Sequence, residues 1–487
     1  MPGAARRAVL VVALSLASAC GDRAGDPSGR EPAGASDTEP VASGRERTVS
    51  DKGPGDDAVP APRDVGRGSA DRSGARGIGA DRITLDADAL ARTGGVDVEV
   101  DEGSVSLLLS FALADAENSL GITRLVAPDG RVVHATRFAD DSWEALDFTS
   151  DVVAEPLSAV ADLALFVPAS SDAPLAVGTW RVELETDPPN ARFAHATAVL
   201  RRDGASATDE ATTGGAITDG GLPDGPGTAR RVVDVHVHVF HPDARYRGEA
   251  FADALDTRWR AALERTLAPH ALGIGALTTS AASARETSRL AALDDEREIG
   301  RACRATRRAG RAARGPAGTD DATPVLHAGL VREISAALVW SGLADDAADD
   351  GGALTGLAPQ PGLPFDDESA NGCVFVAEGP WREPSADGDA LDEATVVELL
   401  AANLLHELGH FAGLAHPSEA DGVTFDLIDD TPRCTSPDVE ICGVAGGADN
   451  LMFHTGDERT LPWTLTAGQA AVLRVHPLFR PDADTER

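Results

Sequence analysis

The sequence predicts an all-β sandwich followed by an α+β domain, both placed behind a disordered N-terminal tether. Three observations carry that expectation. Residues 86–202 hold short runs with strand alternation, separated by turn signals. Residues 229–481 open on one alternating run and then mix helical spacing with further strands. Between residues 21 and 85, Gly, Ala, Asp, Ser, Pro and Arg leave too few large apolar side chains to bury a core.

In the first globular part, Val96-Asp97-Val98-Glu99-Val100 alternates apolar with acidic side chains, as a half-buried strand should. Residues 104–111 continue with β-compatible side chains, and residues 125–133 read as a hairpin turning on Pro128-Asp129-Gly130. Residues 163–167, 180–184 and 196–200 supply further strands. No catalytic set shows here, so the expected role is a spacer, a binding module or a folding aid. Residues 203–228, rich in Gly, Thr, Asp and Pro, form a second linker.

In the second part, residues 232–240 alternate as a strand. Residues 246–267 then place Phe251, Leu255, Trp259 and Leu263 along one helical stripe. Residues 338–340 and 373–376 read as later strands. A long helix capped by Asp389 or Asp392 runs through Val396, Leu399, Leu400 and Leu404 to His406.

The net charge of −36 opposes a nucleic-acid partner, whose phosphates require a basic surface. It equally opposes charge-driven binding to anionic lipid heads. At the start of the chain, Arg6 and Arg7 precede an apolar run over residues 8–17, then Ser18-Ala19-Cys20. That is the layout of a secretory signal over residues 1–20, too short for an ordinary transmembrane helix. Ending on Cys20, it resembles a bacterial lipoprotein signal. The resemblance implies export to a bacterial cell envelope, periplasmic or at the cell surface, with Cys20 as the lipid anchor and only membrane contact. Ordinary secretion is the alternative. Four cysteines then remain, an even set that suggests two disulfides in an exported protein. Cys434 and Cys442 are close in sequence and are expected to pair, and Cys303 with Cys373 follows by elimination.

Residues 406–416 read His-Glu-Leu-Gly-His-Phe-Ala-Gly-Leu-Ala-His. His406 and His410 stand four apart and share one helical face, where they can grip a single metal ion. In a continuing helix His416 would lie roughly 120° round from His410. Gly413 resolves this, because glycine can take the left-handed backbone that ends a helix and turns the chain. Three neutral imidazoles suit Zn²⁺ and leave a coordination position open for water, whose proton Glu407 can accept.

These residues resemble the metzincin signature HExxHxxGxxH. Met452, one of two methionines in the chain, sits in Asn-Leu-Met-Phe-His where metzincins carry the Met-turn. The resemblance implies that Met452 packs beneath the metal site. Asp429-Asp430-Thr431-Pro432, Asn450-Leu451-Met452, Leu465-Thr466 and Gly468-Gln469 are similar to the pappalysin (cytophagalysin) branch and to related bacterial lipoprotein proteases. What this implies is a monomeric zinc endopeptidase acting on protein or peptide, with Glu407 as general base. A catalytically silent surface binding or adhesion lipoprotein is the alternative. Asp426, Asp429 and Asp430 are candidates for Ca²⁺, with which that branch's loop is associated; a solvated acidic loop is the other reading. Some metzincins place a tyrosine two residues beyond the methionine, and His454 stands there as candidate fifth ligand or transition-state contact. Substrate would lie extended along an upper edge strand, with residues 373–376 the candidate.

Three other patterns carry less. Asp234-Val-His236-Val-His238 looks like a metal strand of amidohydrolase barrels, but the repeated βα pattern is absent, so it reads as one polar strand face. Pro432-Arg-Cys434 looks like a cysteine switch yet follows the zinc helix. The arginines between Arg301 and Arg314 read as a solvated loop or helix, with a processing site as the sharper alternative.

Overall fold

The computed structural model describes residues 80–115, 118–139, 142–148, 162–168, 175–202, 230–314, 324–335, 354–358, 361–362, 372–382, 391–418, 425–426, 428–436, 446–453 and 463–482. The signal segment with Cys20, the linker at 203–228, the expected strand at 338–340, Cys442 and His454 lie outside these residues.

The first part comprises β1 (Ala80–Thr84), α1 (Ala87–Thr93), β2 (Gly95–Val100), β3 (Ser104–Leu113), β4 (Ser119–Val126), β5 (Val132–Ala139), β6 (Ser142–Phe148), β7 (Asp162–Pro168), β8 (Gly178–Asp187) and β9 (Phe193–Arg202). Two antiparallel sheets result, in the orders β1-β9-β3-β7 and β2-β8-β4-β5-β6. Strand β1 begins at Ala80, inside the stretch read as tether to residue 85, because it pairs with β9 from Ala80↔Arg201 to Thr84↔Thr197. The β4–β5 turn at Pro128-Asp129-Gly130 forms as expected. Asp129 accepts from the Arg131 N–H at 2.9 Å, and Gly130 takes φ +86°.

Strand β3 is buried almost throughout, for a reason its own alternation hides. Leu107, Leu109 and Phe111 join one core with Leu165, Val182 and Leu200, which lie in both sheets. Leu108, on the opposite face, joins Phe166 and Val199 in the core of the second part of the chain. Burying each such side chain contributes about 1.5–3 kcal/mol. Polar links cross the same contact. The Ser106 hydroxyl donates to Val475 O at 2.6 Å, and the Arg201 guanidinium donates to His476 O.

The second part contains β10 (Arg231–Val239), α2 (Glu249–Ala254), α3 (Arg260–Leu267), β11 (Leu272–Ala281), α4 (Ala284–Leu290), β12 (Ala292–Leu293), α5 (Glu296–Arg314), β13 (Val325–Val331), β14 (Glu333–Ile334), β15 (Gly356–Leu357) and β16 (Cys373–Ala377). It closes with α6 (Gly379–Arg382), α7 (Glu393–Phe411), α8 (Ala467–Val475) and β17 (Arg480–Pro481). It is a mixed α/β unit whose main sheet runs β11-β10-β13-β16-β15, with β17 beside the start of β10. Strands β11, β10, β13 and β16 are parallel, and β15 is antiparallel to β16.

Between α2 and α3 the helix widens into a π segment, Leu255–Trp259. The apolar residues Phe251, Leu255, Trp259, Leu263 and Leu267 recur every fourth position and are all buried. An α-helix turns in 3.6 residues, so such a stripe drifts around it. One wide turn cancels the drift and keeps all five side chains on the core.

Helices cover both faces of this sheet. Val233, Val235, Val237 and Val239 face the core shared with α3, α7 and α8. On the other face, Phe240, Cys373 and Phe375 pack with Ala302 and Cys303 of α5, and a disulfide joins Cys303 to Cys373. His236 and His238 therefore lie buried on that face, where Thr278 and Ser280 satisfy them at 2.7–2.9 Å. Burial lowers the His236 pKa to about 4, so the ring is neutral.

Candidate metal centre

Helix α7 opens at Asp392, whose side chain accepts from the Thr395 N–H at 3.0 Å. Its body is apolar enough to lie in the core, and Val396, Leu400, Leu404 and Leu408 are buried. It stops where the sequence requires. Gly413 takes φ +94°; its N–H donates to His410 O, and the Leu414 N–H donates to Gly409 O, both at 2.9 Å. This is a glycine-centred helix stop, and it turns the chain so that His416 comes back over the helix.

The three histidines meet. One ligand atom from each of His406, His410 and His416 lies within 4.8 Å of the others, and all three residues are buried. The His410 Nε2 stands 3.1 Å from both His406 Nε2 and His416 Nε2. For the His406–His410 pair, the other ring nitrogens explain why this approach is not a hydrogen bond between neutral rings. His406 Nδ1 lies 2.8 Å from Leu451 O, and His410 Nδ1 lies 2.8 Å from Leu414 O. A carbonyl only accepts, so Nδ1 carries the proton in both rings and Nε2 presents a lone pair. Lone pairs facing each other repel unless a cation lies between them. Nitrogens held about 2.05 Å from a tetrahedral Zn²⁺ stand about 3.3 Å apart. The observed spacing fits that ion.

Glu407 follows the first ligand and is fully buried. A Cβ added at Gly356, on β15, would lie 2.1 Å from Glu407 Oε1, so the carboxylate rests directly against that strand. One helical turn earlier, the Asn403 amide donates to Thr355 O. The helix that carries His406 and His410 thus also holds β15, the last strand on that side of the sheet among the described residues.

Met452 is fully buried beneath α7. A Cβ at Gly409 would meet its Sδ at 2.3 Å, so the thioether occupies the space a side chain would otherwise fill. Its turn is fixed by two amides: Asn450 Nδ2 donates to Gln469 Oε1 at 2.9 Å, and Gln469 Nε2 donates back to Asn450 Oδ1 at 3.1 Å. Asn450 Oδ1 also accepts the Met452 N–H at 2.9 Å. Gln469 belongs to the capping box that Thr466 begins at the start of α8. Since α8 ends against the first part of the chain, the turn is braced from both sides.

Two expectations need correction. Asp426, Asp429 and Asp430 do not form a calcium cage, and among the described residues the histidines are the one metal-competent group. Asp426 is buried and accepts from Thr431 Oγ1 at 2.6 Å, burial raising its pKa to about 7. Asp430 is committed elsewhere, accepting from Thr466 Oγ1 at 2.7 Å and from the Gly468 N–H at 2.8 Å. Asp429 is left exposed. The second correction concerns residues 373–376: β16 pairs with β13 along its length, and Phe375 and Val376 also pair with β15, so those two are not at a sheet edge. Among the described residues the last strand on that side is Gly356–Leu357. Of the expected disulfides, Cys303–Cys373 forms; Cys434 is disulfide-bonded, with Cys442 outside the described residues.

Sequence reasoning passed over Gly409, Gly356, Asn403 and the Asn450–Gln469 pair as working parts. Gly409 did leave a signal. A glycine inside a helix costs about 1 kcal/mol relative to alanine, which points to a close approach.

No family model matches this chain, and no curated protein is similar to it in sequence. Among solved structures, it is similar to archaemetzincin from Methanopyrus kandleri at 16% identity and a TM-score of 0.26. That likeness covers 50% of this chain and 95% of the other. A likeness at that level carries no argument, so the reading rests on the site itself.

Proposed function

We propose that the chain is a zinc-dependent endopeptidase of the metzincin type, closest in its motifs to the pappalysin branch. The observation that carries this is the convergence of three imidazoles, with His410 Nε2 3.1 Å from the Nε2 of each of the other two and all three ligand atoms within 4.8 Å, the His406 and His410 rings being oriented by backbone carbonyls. An ion held by His406, His410 and His416 supplies Lewis acidity, which lowers the pKa of water and polarises a carbonyl. Glu407 is the general base. It accepts a proton at its carboxylate from the attacking water and delivers it to the leaving amine as the peptide bond breaks. Asn403 and Gly356 set where that carboxylate and the edge strand stand relative to each other. Extended substrate would add to the side of β15 that β16 does not pair, held by main-chain hydrogen bonds.

The two antiparallel sheets of the first part act in this reading as a sandwich that steadies α8 and, through Gln469, the methionine turn. Lipidation of Cys20 and a place in the cell envelope belong to the same proposal. Metabolic labelling with palmitate, lost in Cys20→Ala, is the expected result.

The test is cleavage of a denatured protein by wild type beside Glu407→Ala. The variant should lose about 10²–10⁴-fold in rate while keeping its zinc. Equal activity in both, or activity that survives a chelator, contradicts the proposal. Zinc with no turnover in the wild type would favour the silent binding protein instead.

A further inference from the structure

A cavity of about 1120 Å³ opens where β10, β11 and β13 end, and its walls contain none of the metal-centre residues. Pro242, Ser283 and Arg332 follow the last residues of those three parallel strands, and all three line it. The carboxyl ends of parallel strands are where open α/β sheets form ligand crevices. Most of the remaining wall is built from α4 and α5, with Arg247, Ala291, Ala292 and Asp294 completing it.

Its charge runs against that of the whole molecule. The chain carries a net charge of −36, yet seven arginines and three carboxylates line this cavity. Arg285 and Arg289 come from α4, and Arg301, Arg304 and Arg308 from successive turns of α5. Two of the three carboxylates are already engaged, and the third, Asp294, is exposed. Glu286 closes the capping box of α4 with Ser283, and Glu298 accepts the Asp294 N–H at 2.9 Å while facing Arg301 at 3.6 Å. Arg285, Arg289 and Arg304 form no ion pair among the described residues and are exposed. Like charges gathered in one concavity repel, and a helix does not need three of them there for its own stability. The arginine run is therefore better explained by the cavity than as a solvated surface. It is poorly placed for processing as well, lying on a 19-residue helix with Arg307 buried and Cys303 bonded to the sheet.

We infer that this cavity binds a small polyanion bearing two or more clustered phosphate groups. Guanidinium groups take phosphate oxygens bidentately, and arginines from two helices reach one ligand from two sides. The volume admits a ligand larger than a single phosphate. The site is independent of the peptidase reading and is tested without it.

The probes are inorganic triphosphate and inositol hexakisphosphate, titrated calorimetrically into the full chain at low ionic strength. Phosphatidylcholine vesicles with and without phosphatidic acid form a second arm. Wild type should bind both soluble probes, with affinity falling as salt is added. Arg289→Glu with Arg304→Glu should weaken binding ~10-fold or more. The same reversal at Arg124 and Arg181, on the first part of the chain, should not change it. All four side chains are exposed or half-buried, and an unchanged melting temperature checks that the variants fold. Added binding to phosphatidic acid vesicles that disappears in the α4/α5 variant identifies a lipid headgroup as the source; its absence identifies a free ligand. Failure of both soluble probes to bind overturns the inference. So does equal weakening by the two pairs of reversals.

Discussion

Replacing Gly409 by alanine sets two effects of opposite sign against each other. In an ordinary helix interior the change stabilises by about 1 kcal/mol. Here the new Cβ would stand 2.3 Å from Met452 Sδ and 3.0 Å from its Cε. Non-bonded carbon atoms settle at about 3.5 Å or more, so the methionine must retreat by about 1.2 Å. It has nowhere open to go, being fully buried with its N–H held by Asn450 Oδ1. Overpacking of this kind costs about 1–3 kcal/mol, giving a net destabilisation of about 0–2 kcal/mol. The sharper effect falls on the metal. Moving Met452 drags Leu451 O, which fixes the His406 ring, and loss of such a contact weakens metal affinity by about 10–100-fold. Urea denaturation in chelator measures the first effect, and zinc titration against a chromophoric chelator measures the second. Gly409→Ala should bind zinc more weakly, and adding Met452→Ala should recover part of the loss. A variant about 1 kcal/mol more stable than wild type with unchanged zinc affinity would refute this packing.

Gly356→Ala should push the Glu407 carboxylate off its place and lower kcat/KM by about 100-fold with zinc content intact; unchanged kcat/KM would count against Gly356 as its seat. Asp426 has its folded pKa raised from 3.8 to about 7, so the folded state holds a proton that the unfolded state has released between those values. Stability from this group is full below pH 4 and lost as pH rises through about 7, at most about 4 kcal/mol. Asp426→Asn should therefore raise the melting temperature at pH 8 and leave it unchanged near pH 4; an equal shift at both would refute the burial. Removing the Cys303–Cys373 disulfide, which spans 70 residues, should cost about 4 kcal/mol in urea denaturation, and a loss under about 1 kcal/mol would show that α5 does not depend on it.

The convergence of the three histidines was legible because its geometry is local. Helical spacing sets His406 beside His410, and one glycine reverses the chain for His416. Strands in the first part were legible for the same reason, through alternation and the turn at Pro128-Asp129-Gly130. The edge strand was not. Gly356–Leu357 is two residues long and has no pattern of its own, so its pairing on β16 and its contact with Glu407 depend on segments distant in sequence. Calcium finds no support for a similar reason: acidic spacing shows carboxylates near each other in sequence, while Asp430 is taken by a helix start 36 residues on. The polar face of β10 formed as read, and it is buried because a parallel sheet is covered on both sides and α5 lies over it. Strand β1 was missed because Ile83 and Leu85 supply little apolar signal on their own, yet both are buried once β9 is beside them.

Metal analysis of the purified full chain tests the central claim most directly. About one zinc per chain is expected, removed by chelator, lost in His410→Ala and retained in Glu407→Ala. A folded chain that takes up no zinc, or one that keeps it after His406 and His410 are both replaced, would contradict the account.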